Sequence, residues 1–249
     1  MDFYPIPTCS LNELIEMKTA FSIKEAELFS GGIRFDSSTA SIIGVGAFKT
    51  AQLAQLMLSP LRRSGIGSLS NHDIVLKRPY IEQVLSPEPP FDRYILKDES
   101  SMLYREANVL YWAKALLKMS YDFIDCAVDN ASAPPPFDIP RLRFVDAGLV
   151  LAYSSVTVIA SNTDRTAQLM KPGGSTVNTM YLAEEFIPTP SGKGFKKYIH
   201  NGDAVPCDLF DTEADKTAEF LAFTQHVQYA KTDGQVYISD YQGMLSLVV

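Results

Sequence analysis

Between Ala40 and Met57 the apolar positions alternate around a glycine turn: Ala40-Ser41-Ile42-Ile43 leads in, Gly44-Val45-Gly46-Ala47-Phe48 turns, and Thr50 to Met57 runs out. Such alternation predicts two strands of a hairpin. After a polar stretch, Ser59 to Asn71, a short apolar strand, Ile74-Val75-Leu76-Lys77, ends in a cation and is closed by Pro79. Beyond a Pro-rich linker at Ser86 to Pro90 the period changes. Leu103, Leu110, Ala113 and Leu117 recur at helical spacing, which predicts a long helix from Glu99 to about Val128 with Asp98 as its N-cap. Three consecutive prolines make Ala131 to Phe137 extended. Two β-rich stretches follow, Leu142 to Val158 and Met180 to Ile187, separated by a polar loop with Gly173-Gly174. Pro188 to Gly194 reads as a hinge. A helix from Glu213 to about Tyr229, a Thr232-Asp233-Gly234 turn and a strand from Gln235 to Ser239 come next. At the front, Leu11 to Ala26 reads as a helix stopped by Gly31-Gly32. Strands precede a helix without regular βαβ alternation, so the predicted class is α+β.

Composition narrows the functions. The chain has 249 residues, enough for one large domain or two small ones, and 46% hydrophobic with 20% charged residues is ordinary for a globular protein. The net charge of −7 argues against a nucleic-acid binder held by phosphate contacts and against a polybasic membrane surface. No apolar run reaches the ~20 residues of a membrane span. No basic region leads into an apolar run at the start, and Cys9, Cys126 and Cys207 are odd in number and far apart. Both features suit free thiols in an intracellular, cytoplasmic setting.

Chemistry-bearing residues are few. Glu106 shares a helix stripe with Leu103 and Leu110, where a carboxylate is costly unless a cation meets it. Lys77, at the end of its apolar strand, is the expected partner, with solvent contact at the stripe edge as the alternative. The Gly44 to Lys49 turn either brings backbone N–H groups to a phosphate or simply makes a hairpin. Asp240 and Gln242, two residues apart after Val236-Tyr237-Ile238, point the same way on a strand and suit orientation of a hydroxyl and coordination of Mg²⁺, or form a polar strand end. His226 on the preceding helix is either a metal ligand or an ordinary half-buried histidine. No Gly-x-Ser-x-Gly elbow, His-Arg-Asp or Asp-Phe-Gly occurs.

The order of these parts, glycine turn, strand lysine, helix glutamate, hinge, strand-end Asp with a nearby amide, is the order phosphoryl transfer needs. From about Gly44 onward the chain resembles the alpha-kinase family of atypical protein kinases, its fungal members above all. The resemblance lies in Val75-Leu76-Lys77-Arg78-Pro79-Tyr80, Arg105-Glu106-Ala107, Tyr181-Leu182-Ala183-Glu184-Glu185-Phe186-Ile187, Phe195-Lys196-Lys197-Tyr198 with Asn201, and the Ala222 to Gly243 segment that carries His226, Asp233-Gly234 and Asp240-x-Gln242-Gly243. It implies a bilobal protein-kinase-like fold with a curved antiparallel N-lobe sheet plus a long helix. Residues 1–35 would be an N-terminal extension, 36–187 the nucleotide-binding N-lobe and 188–249 the start of an incomplete C-lobe.

The resemblance also implies the roles of single residues. Lys77 would hold ATP phosphates and pair with Glu106; Gly44 and Gly46 would cover the phosphates with Lys49 nearby. Glu184 and Phe186 would receive adenine, Asp240 would be the catalytic acid with Lys197 beside it, and Gln242 a Mg²⁺ ligand. A second metal-binding Asp, and the ligands that would join His226 around zinc in a full-length form, would fall past Val249. The implied activity is transfer of the ATP γ-phosphate to Ser/Thr of a protein substrate, with ATP and Mg²⁺ as cofactors. The alternative is a catalytically inactive, pseudokinase-like regulatory module. The apolar strand Met244 to Val249 would be an unpaired edge open to self-association.

Overall fold

The computed structural model describes residues 1–17, 20–36, 38–82, 91–153, 177–188, 195–202, 205–244 and 247–248. In chain order its elements are β1 (Asp2–Pro5), α1 (Leu11–Met17), β2 (Phe29–Arg34), β3 (Ile42–Val45), β4 (Lys49–Leu58), β5 (His72–Pro79), β6 (Ile81–Glu82), β7 (Phe91–Asp92), α2 (Leu96–Asp129), β8 (Arg143–Phe144), β9 (Ala147–Tyr153), β10 (Val177–Glu185), β11 (Lys196–Lys197), α3 (Thr212–Lys231), β12 (Gln242–Met244) and β13 (Leu247–Val248). The class is mixed, with a curved antiparallel sheet and few helices. The chain divides into two compact units: Met1–Ile6, Phe21–Ala107 and Asp146–Phe186 form the first; Pro7–Ala20, Asn108–Val145 and Ile187–Val249 form the second.

The first unit is built on a seven-stranded sheet ordered β2-β1-β9-β10-β5-β4-β3. β2 also pairs with β4, Gly31 opposite Leu58 and Arg34 opposite Gln55, so the sheet curves back on itself. Strand β4 shows why. Its even positions, Thr50, Gln52, Ala54, Leu56 and Leu58, are buried and its odd positions are not, the two-residue period of a strand with one face on the core. Ala54, Leu56 and Leu58 join Phe3, Ile74, Leu76, Val150, Tyr181 and Ala183 in one cluster. Residues 1–35, expected as an extension, contribute β1 and β2 to this sheet, with Phe3 fully buried. Gly31-Gly32 lies within β2 rather than ending a helix. A Cβ on Gly31 would come within 2.0 Å of the Met57 carbonyl oxygen, so only glycine admits the neighbouring backbone.

The long helix starts earlier than the sequence indicates. The amides of Asp98 and Glu99 both reach the Ile95 carbonyl, which makes Ile95 the boundary and places the two acids in the first turn, where the helix dipole favours them. Asp98 is therefore not the cap.

The second unit has its own apolar cluster, Ala113 and Leu117 with Phe144, Tyr198, Ala214, Ala218, Leu221 and Tyr241. Asp211 caps α3, accepting from the amides of Glu213 and Ala214. The segment 235–239, expected as a strand, joins no sheet. Its backbone is claimed by α3 instead: Gln228 accepts the Ile238 amide at 2.8 Å and Gln225 donates to the Ile238 carbonyl at 2.7 Å. The expected free edge after Met244 is also corrected, because β13 lies between β12 and β8 in a four-stranded sheet ordered β11-β12-β13-β8. The Gly173-Gly174 loop and residues 189–194 of the expected hinge lie outside the described residues.

Candidate functional site: paired lysines on a sheet face and an aspartate–lysine pair

Register decides which side chains share a face of the first unit's sheet. Gly44 lies opposite Ala51, Ala51 opposite Lys77, and Lys77 opposite Leu182. Directly paired residues share a face, as do residues two apart on one strand. Lys49, Lys77 and Glu184 therefore stand on one side of the sheet, the side away from Leu56, Leu76 and Ala183. Each lysine meets a carboxylate. Lys49 pairs with Glu106 of α2 and Lys77 with Glu184 of β10, both at 2.5 Å. Glu184 is buried, which makes its cation necessary.

This partition corrects the expected Lys77–Glu106 pair. Glu106 does meet a cation, but that cation is Lys49, 57 residues away in sequence. The Glu106 side chain is 44% exposed, so it sits at the edge of the helix stripe rather than within it. The carboxylate that α2 does bury is Glu99, fully enclosed; it accepts from Arg78 at 2.6 Å and from the Met180 amide at 2.9 Å. Nothing in the local pattern distinguishes Glu99 from its neighbour Asp98, and sequence reasoning missed it.

The glycine turn is ordered by its own contacts. The Gly46 amide donates to the Lys49 carbonyl at 2.9 Å, and the Tyr80 hydroxyl donates to the Gly46 carbonyl at 2.9 Å. A Cβ on Gly44 would lie 3.8 Å from Ala51 Cβ, and one on Gly46 3.6 Å from the Lys49 carbonyl oxygen, both ordinary contacts. Neither glycine has the positive φ that would demand it. Phe48 at the tip is 69% exposed and Phe186, after β10, 38% exposed.

In the second unit β11 pairs with β12 so that Lys197 lies opposite Gln242. Asp240, two residues before Gln242 and outside the strand, forms an ion pair with Lys197. Tyr241 points the other way into the core, fully buried, its hydroxyl receiving the Gln228 amide at 3.3 Å. That burial pushes the Tyr241 phenol up to about 12. The amides of Tyr198 and Ile199 donate to the Tyr241 carbonyl. Asp240 is thus held between an anchored tyrosine and the α3-bound segment, with φ at +66°. A non-glycine residue in this left-handed region stores on the order of 1–3 kcal/mol of strain.

Gln242 is exposed beside this pair, and its amide oxygen suits a Mg²⁺ ligand. His226 is exposed on α3, and among the described residues no group of three His, Cys, Asp or Glu side chains could hold a metal. A cavity of about 720 Å³ in this unit is lined by Tyr121, Arg141, Leu142, Arg143, Ile187, Pro188 and Met244. None of the expected site residues lines it. No helix among the described residues is long and apolar enough to cross a membrane.

The class these observations define is an α+β protein with a curved antiparallel sheet, two paired lysines on one face of it, and a strained aspartate–lysine pair in a second unit. Two solved structures are similar to it. The apoenzyme alpha-kinase domain of myosin-II heavy chain kinase A is 14% identical, with a TM-score of 0.49 over 100% of this chain and 80% of that one. A point mutant of the myosin heavy chain kinase A catalytic domain is 15% identical, with a TM-score of 0.44 over 92% of this chain and 78% of that one. No family model matches the sequence, and no curated protein matches it.

Proposed function

We propose that this chain binds ATP through its first unit and transfers the γ-phosphate to a Ser or Thr hydroxyl of a protein substrate, in the manner of an alpha-kinase. One observation carries the reading: Lys49 and Lys77 stand on one sheet face, each held by a single carboxylate, beside glycines that the fold itself does not require. A polyphosphate competes for both ammonium groups, and close approach of its oxygens to the turn explains Gly44 and Gly46. Glu184 and Phe186 at the end of β10 take the adenine.

In the second unit Asp240 accepts the hydroxyl proton as the substrate oxygen bonds to the γ-phosphorus and the bond to the ADP oxygen breaks. Lys197 holds the Asp240 carboxylate in place. Gln242 would hold Mg²⁺ through its amide oxygen, and the ion would supply neutralisation of phosphate charge.

Calorimetric titration with ATP tests the binding half. Lys77→Ala is expected to abolish measurable binding and Lys49→Ala to weaken it at least about tenfold, the ~1.4 kcal/mol scale of one lost charge contact. Equal affinity in wild type and Lys77→Ala overturns the assignment. Labelled phosphate transfer that disappears in Asp240→Asn supports catalysis, whereas ATP binding without transfer by the wild type points to the regulatory-module reading.

A further inference from the structure

The loop between β4 and β5 takes no part in the chemistry above, yet it is built around a residue distant in sequence. Asp146, just before β9, places one carboxylate oxygen 2.7 Å from the Ile66 amide and 3.2 Å from an Arg62 guanidinium nitrogen. Its other carboxylate oxygen accepts the Ala147 amide at 3.1 Å. Arg62 is held in turn by donating to the Ile66 carbonyl at 2.8 Å, and its guanidinium lies 5.7 Å from the Phe3 and Phe29 ring centres. Gly65 makes the approach possible: at φ +69°, a Cβ there would come within 2.1 Å of the Asp146 carboxylate. A turn with glycine in this conformation, an inward amide and a guanidinium suits an anion, and here the anion is the chain's own.

What Asp146 holds is the end of β10. Its backbone carbonyl accepts the Glu185 amide at 3.0 Å, and the Glu185 side chain accepts the Asp146 amide at 2.7 Å. One residue earlier stands Glu184, the partner of Lys77. We infer that the Asp146 carboxylate, seated in the 62–66 turn, is a positioning latch that sets where the Glu184–Phe186 segment lies, and so selects the base of the bound nucleotide. The base-selecting part rests on the nucleotide reading above; the latch itself does not.

Two measurements on the full chain separate these parts. Asp146→Asn keeps an acceptor for the Ile66 amide but removes the charge that Arg62 meets. It is expected to weaken ATP binding about fivefold or more and to narrow the preference for ATP over GTP, while affinity for inorganic tripolyphosphate stays within twofold. Arg62→Lys is expected to behave like a milder Asp146→Asn. Hydrogen exchange at the amides of residues 183–186 is expected to speed up at least tenfold in Asp146→Asn, with the β4 amides unchanged. Exchange at 183–186 equal to wild type overturns the latch. ATP and tripolyphosphate affinities that fall in proportion, or an ATP affinity that does not fall, overturn base selection. Wild-type protein that binds neither ligand removes the nucleotide reading and base selection with it, and the exchange result still decides the latch.

Discussion

The glycine turn separates at the residue scale what a fold needs from what a ligand needs. Gly44 and Gly46 have ordinary backbone angles and room for a Cβ. Replacing either by alanine should leave stability unchanged or raise it by about 0.4–1 kcal/mol, through a less flexible unfolded chain. On the proposed nucleotide reading, ATP affinity should fall in the same variants, because the added methyl would stand where phosphate oxygens would approach. Thermal unfolding and titration of Gly46→Ala check both; lost stability with affinity retained returns the turn to the plain hairpin reading. Tyr198 poses the opposite case, a fully buried side chain whose hydroxyl has no hydrogen-bond partner among the described residues. Such a group costs about 1–3 kcal/mol, so Tyr198→Phe should be neutral or stabilising in a denaturant titration. Neither property is visible in the sequence, where Gly44-Val45-Gly46 and Lys197-Tyr198 show residue type but not surroundings.

Among the elements, α2 shows how much one buried contact carries. Glu99 is enclosed, with Arg78 and the Met180 amide as partners, and Arg78 also lies 5.7 Å from the centre of the Tyr181 ring. Glu99→Ala leaves a partly buried cation and a buried amide unmet and should cost about 3–5 kcal/mol. Glu99→Gln keeps an acceptor for Met180 and should cost visibly less; chemical denaturation that finds the two variants equal contradicts this account of the helix start. The helix itself was legible, since Leu103, Leu110, Ala113 and Leu117 keep a helical period whatever they meet. Its first residue was not, because Ile95 offers no side-chain cap and the boundary follows from backbone bonds alone. The segment 235–239 failed for a related reason. Its alternation is that of a strand, but Gln225 and Gln228 occupy the backbone groups a neighbouring strand would use.

For the whole molecule, stability should depend on alkaline pH. Burial raises the Tyr241 phenol from 10.0 to about 12, and burial with the Asp2 carboxylate does the same for Tyr153. A raised folded value means the native state holds the proton more tightly than the unfolded chain. That stability is fully present below pH 10 and is lost as pH rises toward about 12. For Tyr241 the loss is at most about 3 kcal/mol, two units at ~1.4 kcal/mol each. Tyr241→Phe should sacrifice about 0.5–1.5 kcal/mol at neutral pH and flatten the decline; a slope unchanged from wild type would exclude Tyr241 as its source.

Strands such as β4 with one buried face, the long helix and the inventory of charged residues were legible in the sequence, because periods of two and 3.6 are written locally in side-chain polarity. Long-range packing settles that residues 1–35 complete a sheet, that Lys49 rather than Lys77 meets Glu106, and that Asp146 is clasped by a loop 80 residues away. Those outcomes depend on strand order and register. Shifting a strand by one residue turns its side chains to the other face, and no local pattern records which distant strand will lie alongside.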